Sequence, residues 1–231
     1  MIDSLLVNPH ISDYISSLEP DLPDFLEELF RSARENRVPV IRREAQSLLR
    51  FVILDREPRQ VLEVGTAIGF SSCFMAEYLS DDARIVTIEK DDKRYREALR
   101  NVSLFRENYR TRYNRDAAEI SCIEGDAEEE LRKLSDSGAK FDLLFLDAAK
   151  AQYPVYLELL QTMMDEKSIL ITDNVLQEGT LAESKFTVTR RDRTIHLRMR
   201  EFTEALFRSG RYESMMLPVG DGMTLTKKRK M

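Results

Sequence analysis

The stretch QVLEVGTAIGFSS, residues 60–72, decides the fold of this chain. Its apolar residues Val61, Leu62 and Val64 form a short strand candidate, and Gly65 follows directly. Gly69 then opens the next helical pattern. Glycine is the residue that lets a ligand press against the backbone at such a turn. The stretch therefore predicts a strand, a tight turn that can face a ligand, and a helix.

The same order of short apolar runs and helical patterns repeats along the chain. Strands are predicted at residues 60–65, 84–89, 119–125, 141–147 and 167–173. Helices are predicted between them, near residues 70–80, 92–108, 127–136 and 151–164. Repeated strand–helix–strand units indicate an α/β fold, in which helices cover both faces of a parallel sheet.

The two ends of the chain have other patterns. Residues 1–54 show the apolar spacing of helices, so we expect an N-terminal helical extension on a core of residues 55–231. A basic helix is predicted near residues 189–208, and YESMMLPV, GDG and MTLTKK (212–228) predict a closing hairpin. No repeat or linker interrupts the sequence, so residues 1–231 are predicted to form a single domain.

Composition argues against several classes of protein. Hydrophobic residues make up 42% of the chain and charged residues 33%, which is typical of globular rather than disordered proteins. No apolar run approaches the roughly 20 residues of a membrane span, and no signal peptide is evident at the start. Cys73 and Cys122 lie in apolar stretches and are expected to be reduced thiols of a cytoplasmic protein. With only His10 and His196, a histidine metal site or a serine-type triad is not expected.

Charge is distributed unevenly. The formal net charge is -6, yet residues 185–231 carry 12 Lys and Arg against 5 Asp and Glu. A basic segment on an acidic body indicates a polyanionic partner. A solvated helix face followed by a frayed end is the alternative interpretation.

Acidic residues near the ends of the first three predicted strands point to a nucleoside. Ligands of open parallel sheets bind outside the carboxyl ends of the strands. There Glu89 can accept hydrogen bonds from ribose hydroxyls, Asp126 can bind an adenine amine, and Glu63 can bind an ammonium group. The glycine spacing is neither GxGxxG nor a phosphate-binding loop, so S-adenosylmethionine fits better than NAD. A plain tight turn and a buried acid held by backbone donors remain the alternatives.

Two further strands end on acids. FDLLFLDAAK, residues 141–150, ends an apolar run at Asp147 and reaches Lys150, and ILITDN ends at Asp173 and Asn174. If the two strands are neighbours, two carboxylates and an amide oxygen form a set suited to Mg²⁺, Mn²⁺ or Ca²⁺. The alternatives are a plain turn at Asp173–Asn174 and a structural ion pair between Lys150 and Asp147.

Six stretches together resemble a known family: LEVGTAIGFSS, IEK, EGDAEE, LFLDAAKAQY, ILITDNVL and LPVGDGMTLTKK. They are similar to the metal-dependent O-methyltransferases of the catechol and caffeoyl-CoA type, from about Val38 to the C-terminus. Within this class, DAAKxQY, TDNVL, VGDG and the arginine-rich helix resemble the bacterial tRNA 5-hydroxyuridine O-methyltransferases. The resemblance implies a Rossmann-like class I S-adenosylmethionine methyltransferase fold, with a seven-stranded, mostly parallel sheet.

The resemblance also implies roles for individual residues. The cofactor set comprises Val40, Glu63, Gly65, Thr66, Ser71, Glu89, Asp126, Ala127 and Asp147. The ligands of Mg²⁺ or Mn²⁺ would be Asp147, Asp173 and Asn174, and Lys150 takes the position of the general base. Where the family has a histidine and an aromatic residue, this chain has Ala148 and Ala149, which leave room for a larger substrate. Residues 104–119 look longer than in the family, and no role is assigned to them.

The expected activity is methylation of the 5-hydroxyl of 5-hydroxyuridine at the wobble position, in the anticodon loop of tRNA. Basic residues would contact RNA phosphates, namely Arg190, Arg191, Arg193, Arg198, Arg200, Lys227, Lys228, Arg229 and Lys230. Tyr153, Phe186 and Tyr212 are candidates for stacking on bases or for the core. One alternative is an O-methyltransferase of small catechols or phenols with the same site. The other is a non-catalytic RNA-binding module with a vestigial methyltransferase fold. A homodimer is implied, with contacts through the N-terminal helices.

Overall fold

Three helices precede the first strand in the computed structural model, which describes residues 9–184, 186 and 188–230. They are α1 (Pro9–Leu18), α2 (Asp24–Glu35) and α3 (Arg43–Arg56). The predicted N-terminal extension is therefore helical where it is described, and its residues 1–8 lie outside the described residues. Leu26, Leu29 and Phe30 of α2 are buried, as the apolar spacing predicts.

Strands and helices then alternate. The alternating part consists of β1 (Gln60–Val64), α4 (Phe70–Tyr78), β2 (Arg84–Glu89), α5 (Asp92–Tyr113), β3 (Glu119–Glu124), α6 (Ala127–Asp136), β4 (Leu143–Leu146), α7 (Tyr153–Leu160) and β5 (Ile169–Thr172). A single 3₁₀ turn, Lys150–Gln152, precedes α7. The chain closes with α8 (Arg193–Arg208), β6 (Tyr212–Leu217) and β7 (Met223–Lys228).

All seven of these strands form one sheet, in the order β3-β2-β1-β4-β5-β7-β6. Strands β1 to β5 are parallel, whereas β7 is antiparallel to both β5 and β6. The mostly parallel sheet with a C-terminal antiparallel hairpin is confirmed. The strand order reverses between β1 and β4, which is where such sheets bind ligands.

Apolar residues fill both faces of the sheet. On one face, α2 to α5 bury Phe70, Phe74 and Phe105 against the sheet. On the other, α6 to α8 bury Leu157 and Phe202. Because both faces are covered, β4 and β5 are buried at every position. Within the described ranges, no helix is both long and apolar enough to cross a bilayer.

Some boundaries differ from the prediction. Helix α5 continues to Tyr113 rather than ending near residue 108, because Tyr109 is buried and packs 5.7 Å from the ring of Phe105. The first part of the segment 104–119 is thus helix. The predicted helix 151–164 is divided, with 3₁₀ turns on both sides of α7 and Pro154 in its first turn. Helix α8 begins at residue 193, four residues later than predicted.

Candidate functional site

The ends of β1, β4 and β5 converge at one edge of the sheet. Val64 pairs with Leu146, and Leu146 pairs with Thr172. Each strand continues by one residue, so Gly65, Asp147 and Asp173 follow at matching positions. The amide of Asp147 donates to the Val64 carbonyl at 3.0 Å, and the amide of Asp173 donates to the Leu146 carbonyl at 3.0 Å. The register therefore brings the predicted cofactor loop beside the predicted metal ligands.

Close packing at this edge requires glycine at Gly65. Its φ is +105°, and an added Cβ would collide with the backbone carbonyl of Asp147. Gly69, at φ +84°, precedes α4, and a Cβ there would touch Ala98 of α5 at 3.4 Å. Both conformations are ones that L side chains rarely adopt. The two glycines bring the turn close to β4 and to α5.

A cavity of about 600 Å³ opens at this edge. The predicted residues that line it are Val40, Gly65, Thr66, Ser71, Glu89, Asp126, Ala127, Asp147, Lys150 and Asn174. Sequence reasoning missed several lining residues, namely Pro39, Ile41, Ile68, Lys90, Arg94 and Tyr156. Pro39 and Ile41 flank Val40 between α2 and α3, so the N-terminal extension forms part of the cavity wall.

Glu63 lies fully buried beneath the glycine turn. Its Oε2 accepts hydrogen bonds from Ser72 and, at 2.6 Å, from Thr87, whereas its Oε1 has no partner. Burial raises the pKa of Glu63, the nearby hydroxyl groups of Ser71, Ser72 and Thr87 oppose the rise, and the charge of Asp147 adds to it. Glu63 is not among the residues that line the cavity, and its unpartnered oxygen is one that a cationic ligand would satisfy.

Glu89 and Asp126 flank the other end of the cavity. Oε2 of Glu89 accepts from the amide of Ala67 at 2.8 Å, so the acid also holds the glycine turn. Asp126 caps α6 by accepting from the amide of Glu128 at 2.9 Å, and its other oxygen accepts from Lys90 at 2.8 Å. The hydrogen bond from Lys90 holds the pKa of Asp126 below its ordinary value.

The side-chain hydroxyl of Thr66 points towards the adjacent strand β2. The hydroxyl of this buried residue lies 2.5 Å from that of Thr87, inside the sheet edge. Because Thr87 also donates to Glu63, the hydroxyl of Thr66 belongs to the network that orients the buried acid. Thr66 also lines the cavity.

The three predicted metal ligands form one cluster. The amide of Asn174 donates from Nδ2 to Oδ1 of Asp147 at 3.1 Å, and the backbone amide of Asn174 donates to Oδ1 of Asp173 at 2.7 Å. Burial, and then the neighbouring charge of Asp147, raise the pKa of Asp173 to about 7. Two carboxyl groups and an amide oxygen are donors that hard divalent cations prefer.

These donors fit Mg²⁺ or Mn²⁺, since a cation between two neighbouring carboxylates would relieve their repulsion. The amide of Asn174 would have to present its oxygen, which a rotation of the group provides. In the described part of the chain, no group of three or more His, Cys, Asp or Glu side chains is arranged to hold a metal, so this set depends on the amide of Asn174 as its third donor.

Lys150 lies in the same cluster. Its Nζ donates to Oδ1 of Asp147 at 2.8 Å, to the hydroxyl of Tyr153 at 2.8 Å and to the backbone carbonyl of Asp173 at 3.3 Å. Burial lowers the pKa of Lys150, but the contacts with Tyr153 and Asp147 outweigh burial and hold it above the ordinary lysine value. Nζ of Lys150 thus forms an ion pair with Asp147, and the base role of Lys150 stays a prediction.

The predicted RNA-binding residues fall into two groups. Arg190, Arg191 and Arg193 are exposed at the start of α8, a helix that packs against the 3₁₀ turn of Lys150. Further along α8, Arg198 pairs with Glu201 at 2.9 Å, and Arg200 donates to the backbone carbonyls of Leu181 and Glu183.

The C-terminal basic residues lie elsewhere. Because β7 is antiparallel to β5, its end lies at the edge of the sheet opposite the cavity. Lys227 faces Glu213 across the hairpin, and Lys228 donates to the carbonyl of Met164 at 3.2 Å. Arg229 and Lys230 form ion pairs with Glu213 and Glu166. The structure does not bring this group together with the cavity.

The three candidate aromatic residues differ in their burial. Tyr153 and Tyr212 are core residues, with 0% and 2% of their surface exposed, whereas Phe186 is exposed. His196 is buried in α8, in keeping with an ordinary helix position.

Comparison with known proteins assigns the family. The O-methyltransferase family matches residues 15–229. The caffeoyl-CoA O-methyltransferase of Stellaria longipes is 26% identical over 231 residues, 97% of this chain and 92% of that protein. The catechol O-methyltransferase of Mycobacterium tuberculosis is 33% identical over 129 residues, 55% of this chain and 54% of that protein.

Solved structures agree with this assignment. A structure from Staphylococcus aureus is 28% identical, covers 95% of this chain and 100% of its own, and has a TM-score of 0.82. An SAH-bound methyltransferase from Podospora anserina is 25% identical, with 97% of each chain covered and a TM-score of 0.75. The sheet order and these neighbours confirm the predicted class I methyltransferase fold. Since the family match spans nearly the whole sequence, the chain belongs to the O-methyltransferase family.

Proposed function

We propose that this protein transfers the methyl group of S-adenosylmethionine to a hydroxyl oxygen of a small aromatic diol, of the catechol or caffeoyl type. One observation carries the proposal: the glycine turn, Asp147 and Asn174 line one cavity at the reversal point of the sheet, and the buried carboxyl group of Asp173 accepts from the amide of Asn174 beside it. The names of the relatives, which include caffeoyl-CoA and catechol O-methyltransferases, support the diol.

In this proposal the cofactor lies along the glycine turn. The free Oε1 of Glu63 would accept the ammonium of the methionine part, helped by Ser71 nearby. Glu89 would bind the ribose, and Asp126 with Ala127 would bind the adenine. The sulfonium would then point towards Asp147, because Gly65 abuts the backbone carbonyl of that residue.

Asp147, Asp173 and Asn174 would hold the divalent cation. When bound, Mg²⁺ or Mn²⁺ stabilises negative charge on an acceptor oxygen and so favours its deprotonated form. Lys150 donates to Oδ1 of Asp147 and would therefore lie beside the bound cation. Its Nζ would then face the acceptor and attract a phenolate.

Lys150 would act first as a cation, because an ammonium ion cannot accept a proton. The base role implied by the family resemblance requires Nζ to lose a proton beforehand, and it stays a prediction. Fixing the sulfonium, the methyl carbon and the acceptor oxygen in line would supply the other large part of the rate enhancement.

A second candidate substrate is tRNA that contains 5-hydroxyuridine. The exposed residues Arg190, Arg191 and Arg193 favour it, since they lie just before and at the start of the helix that packs against the turn of Lys150. The small residues Ala148 and Ala149 line the cavity and leave space for a nucleobase. Against it, the basic hairpin end at Lys227 and Lys228 lies at the far edge of the sheet.

A parallel assay decides between the two substrates. Purified protein, S-adenosylmethionine and Mg²⁺ are incubated with catechol and caffeic-type diols, and separately with tRNA that contains 5-hydroxyuridine; products are identified by mass spectrometry. We expect monomethylated diol, and no transfer after removal of the metal with EDTA. Methylation of tRNA without transfer to any diol would contradict the proposal, and binding of tRNA without transfer to either substrate would favour a non-catalytic RNA-binding protein.

We also propose that the chain forms a homodimer through its N-terminal helices. Exposed apolar side chains on α1 and α3 support this, namely Ile11, Tyr14, Leu18, Phe51 and Leu54. Multi-angle light scattering should give twice the 26.9 kDa mass of one chain. The mass of a single chain at micromolar concentration would contradict the dimer.

A further inference from the structure

The hydroxyl of Tyr153 lies where the carboxyl ends of β4 and β5 meet. It is 3.3 Å from the carbonyl of Leu146 and 3.3 Å from that of Asp173, and it accepts from the amide of Ala148 at 3.3 Å. The side chain is fully buried. One phenolic oxygen thus bridges the two strand ends that carry the predicted metal ligands.

The same oxygen accepts a hydrogen bond from Lys150. Lys150 has three acceptors: Oδ1 of Asp147, the Tyr153 hydroxyl and the backbone carbonyl of Asp173. Two of the three belong to residues of the predicted metal set. The tyrosine is the remaining acceptor, and it would keep its hold on Nζ if a cation took over Asp147.

Packing fixes the position of the tyrosine ring. Tyr153 begins α7, and its ring meets the ring of Phe202 edge-on, with centroids 5.2 Å apart and an interplanar angle of 69°. Phe202 is itself fully buried in α8. A ring held in this way presents its hydroxyl at a defined point, whereas a lysine side chain alone is flexible.

We propose that Tyr153 is a positioning residue for the acceptor site: its buried hydroxyl holds Nζ of Lys150 at the cavity and ties the ends of β4 and β5 together. The effect that we expect on catalysis rests on the proposed function. Tyr153 lies outside the residues that line the cavity, so it acts through Lys150 and the strand ends rather than on the substrate.

Removing the hydroxyl should therefore misplace Lys150 while the fold persists. In Tyr153→Phe the ring still packs on Phe202, but Nζ keeps only two of its acceptors. Because a misplacement of about 1 Å can cost roughly 100-fold in rate, we expect kcat to fall about 10-fold to 100-fold. The KM for S-adenosylmethionine should stay within about 2-fold, since the glycine turn is not touched.

The first test needs no activity. In protein with ¹⁵N-labelled lysine, the ammonium signal of Lys150 is assigned by its absence in Lys150→Met. We expect this signal to be protected from proton exchange in the wild type and to shift and exchange faster in Tyr153→Phe. The control is Tyr212→Phe, which removes another buried hydroxyl, 3.0 Å from Gln161, and should leave the Lys150 signal unchanged. An unchanged signal in Tyr153→Phe would overturn the proposal.

The second test is a double-mutant cycle on kcat. If the tyrosine acts through the lysine, Tyr153→Phe should cost nothing further in the Lys150→Met background, whereas independent effects would multiply. Multiplied effects, or wild-type kcat in Tyr153→Phe, would refute the positioning role. Should Tyr153→Phe fail to fold, Phe202→Leu is measured in the same cycle and judged in the same way. A wild type that methylates no acceptor defeats the proposed function alone, because the ammonium signal still decides the role of Tyr153.

Discussion

Replacing Glu63 by glutamine should separate cofactor binding from stability. The glutamine side chain has nearly the same shape and keeps an oxygen that can accept from Ser72 and Thr87. What it removes is the negative charge and the unpartnered Oε1. If that oxygen binds the ammonium of the cofactor, the variant loses the contact while the buried network persists.

The magnitude follows from the burial of the group. A hydrogen bond to a charged group contributes about 1.5–3 kcal/mol, and each 1.4 kcal/mol corresponds to a tenfold change in affinity. Affinity for S-adenosylhomocysteine, which has the same ammonium group, should therefore fall roughly 10-fold to 100-fold. The free energy of unfolding should change by less than about 1 kcal/mol, because the removed charge was itself costly to bury.

Isothermal titration calorimetry measures the affinity, and urea denaturation measures the stability. The matched control is Glu77→Gln, since Glu77 is another buried acid but pairs with Arg112 away from the cavity. The control should lose stability and keep cofactor affinity. Wild-type affinity in Glu63→Gln would refute the placement of the ammonium at Glu63.

The pH dependence of stability gives a second check on the same variant. A carboxyl group whose pKa is raised on folding binds its proton more tightly in the folded state. The contribution of Glu63 to the stability of the cofactor-free wild type should therefore fall as pH rises from the ordinary glutamate pKa of 4.5 through the raised pKa of the folded state, and then level off. Glu63→Gln lacks this contribution, so its stability relative to the wild type should increase over the same range. A constant difference between pH 4 and pH 8 would contradict the shift.

Two further substitutions test the edge of the sheet. Gly65→Ala should lower the free energy of unfolding by more than about 2 kcal/mol, because it adds a backbone clash to left-handed strain of about 1–2 kcal/mol. The control is Gly138→Ala, because Gly138 also has a positive φ but an added Cβ there would meet nothing within 4 Å, so only the backbone strain should appear. If urea denaturation gave the same loss of unfolding free energy for both variants, the clash at Gly65 would be contradicted. Asp147→Asn should abolish both methyl transfer and the binding of Mn²⁺ measured by electron paramagnetic resonance. The control is Asp142→Asn, which changes an acid that accepts from the backbone amide of Arg59 and should retain both properties. Full activity in Asp147→Asn would refute the role of Asp147 in metal binding.

Much of the fold could be predicted from the sequence because local patterns decide it. The alternation of apolar runs and helical patterns predicts a parallel sheet. The acids Asp147 and Asp173, which end two of the apolar runs, mark where these strands leave the core. The end of α5 was missed although Phe105, Tyr109 and Tyr113 stand four residues apart, the spacing of one helix face, and their rings pack one after another. The polar residues between these aromatic residues make the apolar spacing weak, so the helix was predicted to end near residue 108.

Site positions that follow from strand register could be predicted from the sequence, whereas side-chain orientations that depend on an adjacent strand could not. Strand register alone brings Gly65 and Asp147 together. The side chain of Thr66, in contrast, turns towards Thr87 on the adjacent strand, which spacing along the chain does not reveal. Lys227 is basic and close to the end of the sequence, but the antiparallel course of β7 carries it away from the cavity.

Diffraction from a crystal soaked in Mn²⁺ and S-adenosylhomocysteine, recorded at the manganese absorption edge, tests the central claim most directly. The account predicts a single strong anomalous peak among the carboxyl oxygens of Asp147 and Asp173 and the amide oxygen of Asn174, beside the sulfur of the cofactor. A cofactor in the cavity with no manganese at these three residues, or manganese bound elsewhere, would contradict it.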